Sequence, residues 1–222
     1  MGKNQEAIQR LLSQAGYQVS KGRTPWRPSS VRGTGPAKVW PEIDHVYRLL
    51  GGILTECPLR VGAWDVEVGD VVIELDEEQH FNRYRSITLQ SAIYSELSTF
   101  PLDEYLTYCE RYEPKCLSKA DNRNYWATSS TDNQFGLSSA PGDLDPPGSS
   151  RWKQRAFYDF LKDLAPGLIG TRMARVSVWD TVDASGGSVQ LHEILDAPSA
   201  HNALASIVAL IEARAGARLD RR

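Results

Sequence analysis

The segment WDVEVGDVVIELD brings three carboxylates, Asp65, Glu74 and Asp76, close together in the chain. Acids at this density suit a hard divalent cation such as Mg²⁺ or Mn²⁺, which takes oxygen ligands and often holds one or two carboxylates with water and substrate phosphate. Such an ion polarises a phosphoryl oxygen and activates water. The chemistry implied is metal-assisted hydrolysis.

Whether the acids meet depends on the element that carries them. Runs of β-branched residues on either side of Gly69-Asp70 predict a β-hairpin with a two-residue turn, glycine supplying the positive φ. That turn sets the register: Val68 faces Val71, Glu67 faces Val72, Val66 faces Ile73, Asp65 faces Glu74 and Asp76 faces Ala63. Alternation then puts Trp64, Val66, Val68, Val71, Ile73 and Leu75 on a core face and Asp65, Glu67, Glu74 and Asp76 on the other. No Lys or Arg of the hairpin shares that second face, and like charges set opposite one another cost about several tenths of a kcal/mol per pair. Two readings stay open: a cation binds there, or the acids form the solvated polar face of a half-exposed hairpin.

Around the hairpin, apolar spacing predicts helices over 5–15, from Pro41 to the Gly51-Gly52 pair, and over 83–97, 102–112, 151–164 and 199–215, with a strand over 172–182. Residues 21–38 combine Pro and Gly with basic residues and read as an arm. Residues 118–150, rich in Ser, Asn, Asp, Gly and Pro, read as an inserted loop. The order predicts an α/β fold with a mixed central sheet flanked by helices. All 222 residues form one domain in this reading, with an N-terminal helix and arm (1–38) and a core of 39–117 and 151–222.

Composition narrows the class. A net charge of −3 does not fit a protein that coats nucleic acid non-specifically, which must neutralise many phosphates. Positive charge is nonetheless concentrated between Ala7 and Pro41, where Arg10, Lys21, Arg23, Arg27, Arg32 and Lys38 occur without an acid. Polar residues interrupt every apolar run before a membrane-spanning length, and the N-terminus lacks a secretory pattern, so a cytoplasmic protein is expected. Cys57, Cys109 and Cys116 have no CxxC spacing and read as free thiols; His45, His192 and His201 lack ligand spacing.

The elements WDV, IELD and EEQHF resemble the PD-(D/E)XK nuclease superfamily, and within it the branch similar to very short patch repair endonucleases, whose hairpin strand ends in Glu-x-Asp-Gly-x-x-His. The resemblance implies a restriction-endonuclease-like core and a Mg²⁺- or Mn²⁺-dependent endonuclease hydrolysing DNA phosphodiesters in restriction, defence or repair. It makes Asp65 and Glu74 the metal ligands, with Asp76 assisting and Glu42 a further acid. Two positions depart from the pattern: Asp76 stands where a lysine is expected, and Glu77 replaces the glycine. A cation from another segment would then orient the attacking water or offset charge on the phosphate. Lys153 is the choice, although it also reads as a surface charge on an amphipathic helix. His80 fits a general base, a ligand or a structural hydrogen-bonding group, and Gln79 could direct an amide at water or phosphate. Lys21, Arg23, Arg27, Arg83, Arg85, Arg151 and Arg155 are the expected nucleic-acid contacts. Trp26 and Trp40 either stack on bases or dock the arm. Cutting both strands would suit a homodimer. The missing lysine equally fits an inactive module of this fold that binds nucleic acid or a protein, and a metal-dependent hydrolase of another phosphate compound is the third reading.

Overall fold

A computed structural model describes residues 2–121, 123–198 and 202–221. They fall into two compact units. The first comprises Met1–Pro25, Gly62–Glu77 and Gly170–Arg222; the second comprises Trp26–Val61 and Glu78–Ile169.

A four-stranded mixed sheet organises the first unit, in the order β1 (Val19–Lys21), β2 (Val66–Val68), β3 (Val71–Asp76) and β4 (Arg172–Ser177). β1, β2 and β3 are successively antiparallel, whereas β3 and β4 are parallel. Gly69 turns the β2–β3 hairpin with φ of 60°. The pairs Val68–Val71, Glu67–Val72 and Val66–Ile73 form in the register that the turn predicts. The ladder then stops at Val66, so Asp65 and Ala63 lie outside it and the expected pairs Asp65–Glu74 and Ala63–Asp76 do not form.

The alternative of a solvated polar face does not hold for β3, every residue of which is buried, while Asp65 and Glu67 are half-buried. The strand has a neighbour on each edge, and its parallel pairing with β4 is the kind normally covered on both faces. The strand predicted over 172–182 ends at Ser177, where Asp180 Oδ2 accepts from the Ser177 N–H at 2.8 Å and Ser177 Oγ accepts from the Trp179 N–H at 2.9 Å. These side chains turn the backbone, and a small second sheet follows, β5 (Thr181–Ala184) against β6 (Gly187–Gln190). Helices Lys3–Gln14, Leu191–Asp196 and Leu204–Ala215 complete this unit. The first buries Ala7, Ile8, Leu11 and Leu12; of the stripe Ile8, Leu11, Leu12 and Ala15 that its spacing predicts, Ala15 is only half-buried. Of the helix expected over 199–215, residues 199–201 lie outside the described residues.

The second unit is helical. Helix Val39–Leu49 brings Tyr47 against Phe135 and Phe157, with ring centroids 5.3 and 5.1 Å away. Helix Ser150–Asp163 is capped by Ser149, whose hydroxyl accepts from the Trp152 N–H. The segment expected as a long loop instead holds helices Arg123–Trp126 and Ser129–Phe135. Its polar residues serve as caps: Thr128 and Thr131 make a reciprocal capping box, and Trp126 packs edge-on to Trp152. The helix expected over 83–97 is Arg83–Leu89 followed by the 3-10 turn Ala92–Glu96, because Ser91 accepts from the Ile93 N–H and starts a new element. Trp26 docks the arm: it is buried and its indole donates to the Leu59 carbonyl at 2.8 Å. Trp40 donates to the Thr34 carbonyl at 3.1 Å.

Arg85, expected at a nucleic-acid surface, is fully buried. Its guanidinium donates to Asp163 Oδ2 at 2.7 Å and lies over the rings of Tyr94, Phe100 and Tyr105. Removing one member of such a pair strands the other charge in low dielectric. Arg85→Met is expected to lower unfolding free energy by about 3–5 kcal/mol in urea titrations, whereas Arg83→Ala, which breaks a more exposed pair with Glu113, should cost no more than about 1 kcal/mol. Equal effects would contradict this assignment.

Candidate metal centre

The parallel register of β3 and β4 pairs Glu74 with Arg175 and Asp76 with Ser177, so Glu74, Asp76 and Arg175 share one face of the sheet. The cation missing from the hairpin therefore comes from the neighbouring strand. Arg175 Nε donates to Asp76 Oδ2 at 2.7 Å and its NH2 to Oδ1 at 2.8 Å. Asp76 and Arg175 are 0% and 2% exposed. The paired, charge-assisted bonds offset the several kcal/mol that burying each ion costs. Sequence reasoning passed over Arg175, yet an arginine inside the apolar run MARVSV is itself a signal, since buried arginines occur with partners.

Asp65 makes hydrogen bonds that brace the sheet. Its Oδ2 accepts from the Leu75 N–H at 2.9 Å, and its carbonyl accepts from the Gln5 amide at 2.5 Å. Just past the end of β2, the side chain takes over the ladder's role of holding β3.

After Asp76 the chain makes one 3-10 turn, Glu78–His80, before helix Arg83–Leu89. The turn is fixed from several directions. Asn82 caps the helix, accepting from the N–H of Tyr84 and Arg85, and donates to the Gln79 carbonyl at 3.3 Å. Arg155 donates to the same carbonyl at 3.1 Å. The Cys116 thiol donates to the carbonyls of Glu78 and Phe81 at 2.8 and 2.9 Å, and its burial pushes its pKa up to about 12. His80 Nδ1 meets Asp159 Oδ2 at 2.8 Å, and Asp159 is buried on helix Ser150–Asp163.

Asp76, His80 and Asp159 offer ligand atoms that all lie within 4.8 Å of one another, and this cluster could hold a metal ion. The donor set is two carboxylates and one imidazole. Oxygen with nitrogen suits Mn²⁺, Fe²⁺ or Zn²⁺ better than Mg²⁺, which prefers oxygen throughout. Arg175 does not exhaust Asp76, because an ionised carboxylate has about four lone-pair sites.

The other expected site residues are dispersed. Glu74 is buried at 4% exposure one alternation before Asp76. Glu42 accepts from the Ser91 hydroxyl at 2.6 Å. Lys153 projects from a helix face distinct from that of Arg155 and Asp159; it is buried, its amine lies 5.7 Å from the Tyr84 ring centroid, and desolvation lowers its pKa. Arg155 lies one turn before Asp159 on the same helix face. Arg83 is bound to Glu113, whose pKa is lowered by hydrogen bonds and charge from Arg83 acting against desolvation. Arg23 pairs with Glu67 and lies over Trp64. Lys21 and Arg27 are exposed, and Arg151 donates to Gln154 Oε1.

A family model described as a family of unknown function (DUF7255) matches residues 45–197, which is well over half of the chain and contains every residue of the cluster and Arg175. The chain belongs to this family. No curated protein and no solved structure matches it. Among the described residues, no helix is long and apolar enough to cross a membrane.

Cys116 gives a pH prediction. The unfolded thiol ionises near its ordinary value of 9.0, but the folded thiol stays protonated until about 12. Below 9.0 both states hold the proton and the thiol's contribution is complete; above it only the unfolded state gains by ionising, and stability falls as pH rises toward 12. Unfolding titrations between neutral pH and pH 10.5 should show a steeper loss for the wild type than for Cys116→Ala, and parallel curves would refute the assignment.

Proposed function

We propose that this chain is a divalent-metal-dependent phosphodiesterase acting on nucleic acid, with DNA as the substrate that its resemblance to PD-(D/E)XK nucleases suggests. The observation that carries the reading is the cluster of Asp76, His80 and Asp159 at the end of the strand that bears the Glu-x-Asp element. Support also comes from the order of the elements: a helix before the hairpin, helices after it, then a parallel strand and a final helix, as in a restriction-endonuclease-like core. That arrangement is a fold-level analogy.

Asp76, His80 and Asp159 would hold the ion. When bound, the metal supplies Lewis acidity toward the phosphoryl oxygen and lowers the pKa of water. The protein's own part is positioning. Asp159 holds the His80 ring by Nδ1 and so determines which nitrogen remains for the site. Arg175 keeps the Asp76 carboxylate in one orientation. Arg155 places a cation on the helix turn before Asp159, where it offsets part of the local negative charge. Asp65 and Glu74, the ligands that the resemblance implies, act in this proposal by bracing β3 and by adding negative charge to the face of Asp76.

A second reading is favoured by one specific observation. Arg175 engages both oxygens of Asp76, as it would in a fold that has turned its acids to structural use. The chain is then an inactive binding module.

Mn²⁺ titration separates the two. For the enzyme, Mn²⁺ raises the melting temperature in a concentration-dependent way, and His80→Ala or Asp159→Asn weakens the effect at least about tenfold. The module shows no stabilisation. Supercoiled plasmid incubated with Mn²⁺ should be nicked by the wild type, with activity reduced on the order of 10²–10⁴-fold in His80→Ala. Loss of nicking in Asp65→Ala and Glu74→Ala but not in His80→Ala would move the ion to the ligands of the resemblance. Absence of nicking with any divalent ion would remove the enzymatic reading.

A further inference from the structure

Several arginines in this protein that are not fully exposed are matched to carboxylates, among them Arg85 to Asp163, Arg175 to Asp76, Arg83 to Glu113 and Arg214 to Asp180. Arg151 and Arg155 are not. Among the described residues their hydrogen bonds go to neutral oxygens, Arg151 to Gln154 Oε1 at 2.5 Å and Arg155 to the Gln79 carbonyl at 3.1 Å. Desolvation disfavours the charged form of Arg155, and so does the like charge of Arg151; Asp159 partly offsets both.

These two residues and Asp159 occupy successive turns of helix Ser150–Asp163, each step advancing about 6 Å along one face. At the far end of the line, Asp159 holds His80. Two guanidiniums, each with donors to spare, thus run in file toward the imidazole. Among the described residues neither guanidinium has a carboxylate within ion-pair distance, and Asp159 acts on Arg155 only through its charge from one turn away. We infer that Arg151 and Arg155 form a track for successive backbone phosphates of a nucleic-acid strand, leading it to His80 and Asp159. The inference rests on the function proposed above and names the residues that position its substrate.

The test is fluorescence anisotropy with labelled single-stranded and duplex DNA oligonucleotides, across a series of KCl concentrations, with Ca²⁺ in place of Mn²⁺. Each phosphate contact contributes about 0.7 (single strand) to 0.9 (duplex) to the slope of log affinity against log salt. Arg151→Gln and Arg155→Gln should each reduce that slope by about one and the double variant by about two. Arg155→Lys, which keeps the charge, should retain the slope. Lys153→Gln, altered on another face, should leave it unchanged. Circular dichroism and thermal melting establish that each variant is folded. A folded double variant that binds with the wild-type slope overturns the track, and if the wild type still nicks plasmid the nuclease reading survives. The expected slope changes without nicking by the wild type support the track and overturn the catalytic reading. A wild type that binds neither oligonucleotide overturns both.

Discussion

A carboxylate with no exposed surface must be neutralised, and for Asp76 that task falls to Arg175. The pair joins adjacent parallel strands whose register puts both side chains on one face. Positive charge beside this acid is thus supplied by β4. A buried bidentate pair of this kind contributes little net stability compared with apolar residues of the same size, yet it is costly to break. Its main effect is to specify geometry. Asp76 has one orientation, and whatever the cluster binds is met by a carboxylate already in place.

Around that constraint, the turn after β3 is held by polar contacts and by Phe81, which packs edge-on to Tyr105 and Tyr108. Asn82, Arg155 and Cys116 each take hold of a backbone carbonyl within residues 78–81. Asp159 anchors His80. Binding free energy spent on ordering a site is lost to affinity, so a turn fixed beforehand favours ligand capture. The same economy applies to Asp65, whose side chain does for Leu75 what a continued strand would have done.

Much of the fold was legible in local pattern. The Gly69-Asp70 turn gave three pairs of the hairpin, and apolar spacing located helices Lys3–Gln14 and Ser150–Asp163. What could not be read was non-local. No local rule connects Asp76 to Arg175, because parallel pairing leaves no turn to count from. The register beyond Val66 failed because the Leu75 N–H donates to the Asp65 side chain in place of the ladder. Polar residues 118–150 resembled a loop since caps and loops use the same amino acids. The cluster that could hold a metal ion includes Asp76 and His80, both of which the motif brought forward, and Asp159, which no motif marks. Lys153 was chosen from the segment that also holds Arg151 and Arg155; helix spacing sets Arg155, and not Lys153, on the face of Asp159.

The separation of Asp76 from Arg175 also orders events during synthesis. The two lie 99 residues apart, so at roughly 5–20 residues per second a ribosome needs on the order of 5–20 s to add the arginine after the aspartate. Until then β3 carries an ionised group that cannot enter an apolar interior without its counter-charge. The nascent hairpin must stay hydrated, with one strand edge open, while helices encoded between the two strands emerge and fold. Completion of the sheet is thereby deferred until β4 has been made.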